Sequence, residues 1–171
     1  DLTTVLNQVM DTIIRLTGAE RGFLMLKDDA GELQFRIARN VERAALDQSE
    51  FQVSRTIVDG VAESGEPVVT TNAQADPRFS AQESVVGYNL RSIVCVPLKV
   101  KGEVIGVVYV DNRIRTGLFT ERERDLLAAF SNQAAIAIDN ARQFQRVNEL
   151  KNLLDNVFAS IASGVITTDV Q

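Results

Sequence analysis

The sequence predicts an α+β domain: one central antiparallel sheet covered on both faces, continued by a long C-terminal helix of coiled-coil character. Three observations carry this. Residues 91–112 read RSIVCVPLKVKGEVIGVVYVDN, two β-branched-rich runs joined by Lys101-Gly102-Glu103, which is a hairpin signature. Both runs are apolar on both faces: Ile93 and Cys95 oppose Val94, Val96, Leu98 and Val100, while Val104, Val108 and Val110 oppose Ile105, Val107 and Tyr109. A strand of that kind lies inside its sheet, covered twice. Finally, no proline or glycine interrupts the chain between Thr120 and Gly164.

The other elements follow in order. Apolar residues at Leu2, Val5, Leu6, Val9, Ile13, Ile14 and Leu16 make a helical stripe, stopped by Gly18. Residues 21–27 and 33–39 flank the polar turn Asp28-Asp29-Ala30-Gly31-Glu32 and predict a second hairpin. Its second strand sets Leu33, Phe35 and Ile37 against Gln34, Arg36 and Ala38, the pattern of a half-exposed edge. Residues 41–52 read as loop. Ser54 is placed as N-cap of a helix over 55–64, ended by Gly65. A short strand covers 68–71, a loop 72–79, and a short helix 80–87. Thr120 and Glu123 form a capping box before the last helix.

A helix over most of 121–159 would be on the order of 60 Å long, more than one compact domain can cover. Phe130, Ala134, Ala137, Ala141 and Phe144 alternate four- and three-residue steps, and Leu150, Leu154, Val157 and Ile161 resume that rhythm after a break near Val147 and Asn148. The pattern predicts a coiled-coil seam with a register slip, and hence a homodimer.

Composition removes several functions. With 171 residues, 45% apolar and 24% charged, the chain holds a folded domain and an appendage. A net charge of −5 with no basic stripe argues against nucleic-acid binding, and no apolar run approaches the ~20 residues of a bilayer crossing. The single cysteine suits a reducing, cytoplasmic setting and leaves no internal disulfide. Histidine is absent, which removes imidazole metal ligation, histidine-bound haem and the Ser-His and Cys-His nucleophile pairs. A start at Asp1 without methionine or signal segment suggests a piece of a larger protein.

The order of elements resembles that of GAF domains. Local sequences agree: Ala19-Glu20-Arg21-Gly22-Phe23 into the first strand, Asp76-Pro77-Arg78-Phe79 in the loop, Arg91-Ser92 and Val96-Pro97-Leu98, Ile105-Gly106-Val107, Asp111-Asn112, and Phe119-Thr120 opening the last helix. The resemblance covers residues 1–146 and implies terminal helices on one sheet face, with shorter helices and loops enclosing a small-molecule pocket on the other. Residues 147–160 are then a helical signalling linker. Residues 161–171 resemble the start of a PAS domain, whose first strand would be Gly164-Val165-Ile166-Thr167-Thr168-Asp169.

The resemblance implies a pocket lined by Met25, Phe79, Tyr88, Cys95, Tyr109 and Asp111. Ligand and cofactor stay open. Cyclic-nucleotide members carry Asn-Lys, a downstream Phe and an Asp-Glu pair; here those places hold Asn112-Arg113, Phe119 and Glu123-Arg124, and the last reverses a charge. Bilin attachment uses a cysteine typically followed by histidine, whereas Cys95 stands between valines. A non-haem iron site would draw on Asp76, Cys95 and Asp111. Lone Cys95 cannot both attack and resolve in a reductase cycle, so no enzyme is expected. The expected function is that of a regulatory, small-molecule-sensing and dimerising domain in a cytoplasmic signalling protein, such as a bacterial sensor histidine kinase of a two-component system. It would act through the last helix on a following PAS domain. The alternative is a ligand-free dimerisation spacer.

Overall fold

A computed structural model describes residues 1–40, 55–81, 85–86 and 90–168, the last four without side chains. The elements are α1 (Leu2–Thr17), β1 (Arg21–Lys27), β2 (Leu33–Asn40), α2 (Arg55–Ser64), β3 (Val68–Thr70), β4 (Ser92–Val100), β5 (Glu103–Asn112) and α3 (Glu121–Thr168). The loop expected at 41–52, the Ser54 cap and Tyr88 lie outside the described residues. So does part of the helix expected over 80–87, of which Val85 and Val86 are helical.

Five strands form one antiparallel sheet in the order β2-β1-β5-β4-β3. The β4–β5 hairpin is therefore internal, as its two-sided hydrophobicity requires, and β2 is an edge whose exposure alternates over its first four residues, after which Ile37 and Ala38 are both buried. Pro97 sits in β4 without breaking the sheet because β3 ends at Val68, opposite Cys95; a residue lacking N–H is tolerated where the ladder has stopped.

Each face carries its own core. Leu24, Leu26, Val94, Val96, Leu98, Val108 and Val110 pack with α1 and α3. Phe23, Met25, Ile93, Cys95, Val107 and Tyr109 pack with Ile57, Val58 and Val61 of α2. Two extra residues break the alternation expected from the sequence. Leu24 pairs with Ile37 and Met25 with Phe35, leaving Arg36 unmatched. Leu98 pairs with Gly106 and Lys99 with Val104, leaving Ile105 unmatched. Such bulges reverse the facing of all that follows. Ile37 thus joins the α1/α3 core while Leu33 and Phe35 pack on the α2 side. Likewise Ile105 packs on the α1/α3 side, apart from Val107 and Tyr109. Beside the second bulge, β1 and β5 approach so closely that a Cβ on Gly106 would stand 2.2 Å from the Met25 carbonyl oxygen.

The helix ends follow the expected chemistry. Asp1 Oδ1 accepts from Thr4 N–H at 2.8 Å, and Gly18, at φ 65°, donates its N–H to the Ile14 carbonyl. Gly65 donates to Val61 O at 2.9 Å. The Thr120–Glu123 box forms: Thr120 N–H and its hydroxyl both donate to Glu123 Oε2. Leu127, Ser131, Ala134, Ala135 and Ile138 of α3 are buried against the domain. Two arginines then tie α3 to the β1–β2 turn, Arg142 donating to the Lys27 carbonyl at 3.0 Å and Arg146 pairing with Asp29. Residues 143–164 are exposed throughout.

Two expectations about this helix are corrected. Ala134, assigned to the partner seam, is 4% exposed within its own domain, and Phe130 packs partly against the same core. Gly164-Val165-Ile166-Thr167-Thr168 continue the helix where a strand was expected, and Asp169 lies outside the described residues. A strand needs a neighbour to satisfy its N–H and C=O groups, whereas a helix satisfies them internally; the described residues provide no such neighbour.

Candidate functional site

Cross-strand register assembles the site. Arg21 pairs with Asp111, Phe23 with Tyr109, and Cys95 with Tyr109. Side chains two apart in a strand share a face, so Arg21, Phe23 and Met25 of β1 lie beside Tyr109 and Asp111 of β5 and Ile93 and Cys95 of β4. This is the α2 side, opposite α1 and α3.

At the end of this face is a buried ion pair. Arg21 Nε donates to Asp111 Oδ1 at 2.9 Å and Nη2 to Oδ2 at 2.6 Å. The side chains are 5% and 0% exposed. Burial pushes the Asp111 carboxyl above the usual carboxylate range, and the guanidinium pulls it back. The guanidinium also stands 5.1 Å over the Phe23 ring, whose centroid is 6.1 Å from that of Tyr109. The Tyr109 hydroxyl is buried and makes no hydrogen bond of good geometry, its nearest polar neighbour being the Asp111 carboxylate. It lies close enough to Asp111 that burial and that carboxylate together hold the phenol well above its ordinary pKa.

The structure brings four of the six expected pocket residues, Met25, Cys95, Tyr109 and Asp111, onto this face, all fully buried. Phe79 is half-buried at its margin, packed on the same cluster. Tyr88 lies outside the described residues. Burial raises the Cys95 thiol far above its usual range, which leaves a packing residue rather than a nucleophile.

The residues weighed for iron are otherwise engaged. Asp76 Oδ2 pairs with Arg78 Nη2 at 2.8 Å and Asp76 Oδ1 accepts from Arg78 N–H at 3.0 Å. The same guanidinium lies 4.8 Å over Phe79. Asp76 thereby closes its own turn, and Arg78, with a bond of 2.9 Å to the Val69 carbonyl, ties that turn to β3. Among the described residues no three His, Cys, Asp or Glu side chains converge as metal ligands.

The counterparts of the cyclic-nucleotide motif also have local work. Asn112 Oδ1 accepts from Ile114 and Arg115 N–H at 2.9 and 2.6 Å. Arg113 binds Glu20 through its own N–H, Nε and Nη2, and Phe119 is buried in the α1/α3 core. Glu123 caps α3, and Arg124 pairs with Glu121 and Asp125.

Arg21 and Phe23 are the site residues that sequence reasoning missed. Their signal was present: they alternate with Met25 in a strand whose residues 22–26 are all apolar or glycine, and a charge there needs a buried partner. Serine 92 was passed over too; its hydroxyl lies 3.0 and 2.9 Å from the Thr71 and Arg115 carbonyls and joins the loops at this end of the sheet.

A five-stranded antiparallel sheet with the terminal helices on one face and a polar cluster buried under the other defines the class of α+β domain. The family model described as GAF domain matches residues 1–138, and the chain belongs to that family. Among curated proteins it is 36% identical over 86 residues to "Hybrid signal transduction histidine kinase G" of Dictyostelium discoideum, spanning 50% of this chain and 2% of that protein. It is 30% identical over 157 residues to "Probable 3′,5′-cyclic phosphodiesterase pde-5" of Caenorhabditis elegans, spanning 85% of this chain and 21% of that one. The chain thus corresponds to a small part of each. Among solved structures, a GAF domain of Slr1393 from Synechocystis sp. PCC6803 superposes with a TM-score of 0.70 at 16% identity, covering 86% of this chain and 99% of that one. No helix among the described residues is long and apolar enough to cross a membrane.

Proposed function

We propose that this is a regulatory GAF domain of a cytoplasmic, multidomain signal-transduction protein of the sensor-histidine-kinase kind. It senses a small molecule at Tyr109, Asp111 and Arg21 and acts on a following PAS domain through α3. One observation carries the reading: an Arg21–Asp111 ion pair is buried under this face beside the Tyr109 hydroxyl, whose nearest polar group is the Asp111 carboxylate and which makes no hydrogen bond of good geometry. A buried polar atom without a well-formed hydrogen bond is costly, and a ligand atom at the Tyr109 hydroxyl would offset that cost. Phe79, at the margin, and Tyr88 complete the ligand surface in this reading. The names of the two curated relatives support a signalling context.

Transmission follows from the sheet. Tyr109 faces the site while its neighbours Val108 and Val110 pack with the terminal helices, so a ligand that shifts β5 shifts the bed of α3. Its leverage is the difference in its affinity for two arrangements.

One observation favours the spacer reading for part of this face: Ile57, Val58 and Val61, at 2% exposure or less, share one apolar cluster with Met25, Cys95 and Val107. Native mass spectrometry of the purified domain separates the two. A co-purifying small molecule, retained by the wild type and lost in Tyr109→Phe, supports sensing. An unliganded mass for both, with unchanged stability in the variant, supports the spacer.

A further inference from the structure

Where α3 leaves the domain it overhangs the β1–β2 turn, and a cleft of about 230 Å³ lies between them. Leu26 of β1 and Leu2 at the start of α1 give it an apolar floor. Its walls carry three arginines from separate parts of the chain: Arg36 of β2, and Arg142 and Arg146, one turn apart on α3. Arg36 is the unmatched residue of the β1–β2 bulge, and a bulge re-aims the side chains it carries. Three guanidinium groups around one cleft repel one another unless anions intervene. The carboxylates that face them are those of Asp28, Asp29 and Glu149. Asp28 accepts from the N–H groups of Ala30 and Glu32 and from the Gln34 amide, at 2.9–3.0 Å, and so closes its own turn. Glu149 accepts from the Gln145 amide at 2.9 Å. Asp29 does pair with Arg146, but the two are 88% and 61% exposed, and a pair so open to water contributes little. Arg142 donates one N–H to the Lys27 carbonyl at 3.0 Å. Arg36 is exposed and has no ion-pair partner among the described residues.

We propose that this cleft is a second ligand site, for the dianion of a phosphate monoester, on the opposite side of the sheet from Tyr109. It stands whether or not the Tyr109 face takes a ligand. The donors choose the occupant. A guanidinium binds an oxyanion through a planar fork of N–H groups. Three forks offer more donors than the two oxygens of one carboxylate accept, whereas a phosphoryl group presents three terminal oxygens and close to two negative charges. The floor of Leu2 and Leu26 receives a small apolar substituent on the ester oxygen. In binding, the phosphoryl group replaces Asp29 at Arg146 and draws in Arg36 and Arg142. It thereby links β2 to α3 at the point where the helix departs from the domain, and braces that departure.

The test is an NMR titration of the isotope-labelled protein with phenyl phosphate and with inorganic phosphate, at fixed ionic strength. We expect saturable binding of phenyl phosphate, with amide shifts centred on 26–29, 36 and 142–149. Binding should be about tenfold weaker in Arg36→Gln, where charge-assisted hydrogen bonds are lost, and unchanged in Arg122→Gln, an exposed arginine at the other end of α3. Arg36 makes no ion pair among the described residues, so its loss leaves the fold intact. Asp29→Asn should tighten binding several-fold, because it frees Arg146 and removes a negative charge. Inorganic phosphate should shift the same amides at higher concentration, lacking a group for the apolar floor. No saturation at millimolar phenyl phosphate, or an equal loss in Arg122→Gln, would overturn the site. Shifts centred on Tyr109 and Cys95 would place the ligand on the other face and overturn it too. Weaker binding in Asp29→Asn would overturn the exchange of partners at Arg146. Tighter binding of inorganic phosphate than of phenyl phosphate would overturn the monoester assignment.

Discussion

Arg21 and Asp111, ninety residues apart in sequence, meet side-on through two hydrogen bonds of 2.9 and 2.6 Å between adjacent strands, both withdrawn from water. Removing Asp111 takes away the carboxylate that offsets the buried Arg21 charge. Asp111→Ala should therefore lower unfolding free energy by about 3–5 kcal/mol, measured by urea denaturation. Replacing both, as Arg21→Met with Asp111→Leu, should recover most of the loss. Equal loss in the single and double variants would show that the pair itself stabilises the fold.

The Asp76–Arg78 turn predicts an acid limb. Its guanidinium holds Asp76 down at about 2 against an ordinary 3.8. A carboxyl depressed in the folded state contributes above its unfolded pKa, and that contribution fades as pH falls through the folded one. Urea midpoints of the wild type should drop between about pH 4 and pH 2 by more than those of Asp76→Asn. Parallel curves would refute the assignment.

Two glycines in the sheet should respond differently to alanine. At Gly106 the obstacle is backbone, Met25 O at 2.2 Å, and cannot swing away. At Gly22 the nearest atom, at 2.6 Å, is the terminal methyl of Met10, which can. Gly106→Ala should cost about 3 kcal/mol or more and Gly22→Ala about 1 kcal/mol, compared by thermal denaturation.

Cys95 offers a probe of opening. Because burial raises its thiol far above the ordinary range, a thiol reagent should label it only through unfolding. The labelling rate should rise with urea in step with the unfolded fraction. Rapid labelling without denaturant would place the thiol in an accessible cavity.

Much of this was legible because local chemistry determines it. Gly18, Gly65 and the Thr120–Glu123 box end or begin their helices as read, and the two-sided hydrophobicity of β4 and β5 placed them inside the sheet. The failures share one cause, long-range geometry. Nothing local announces Arg36 or Ile105 as the unmatched residue of a bulge, since the partner strand decides it. Alanine suits either side of a helix, so Ala134 could not declare itself domain-facing. Asp111 was expected in the pocket, but only register shows Arg21 opposite it.

The continuity of α3 constrains how such a chain can vary in length. Each residue added after Arg146, the last anchor to the β1–β2 turn, turns everything downstream by about 100° and advances it about 1.5 Å. Seven residues nearly restore the original heading, with about 20° of drift. In the signalling arrangement proposed above, insertions and deletions in α3 beyond Arg146 should therefore be sorted by heptads. A single-residue change there would leave every contact in the sheet intact and still misdirect the output.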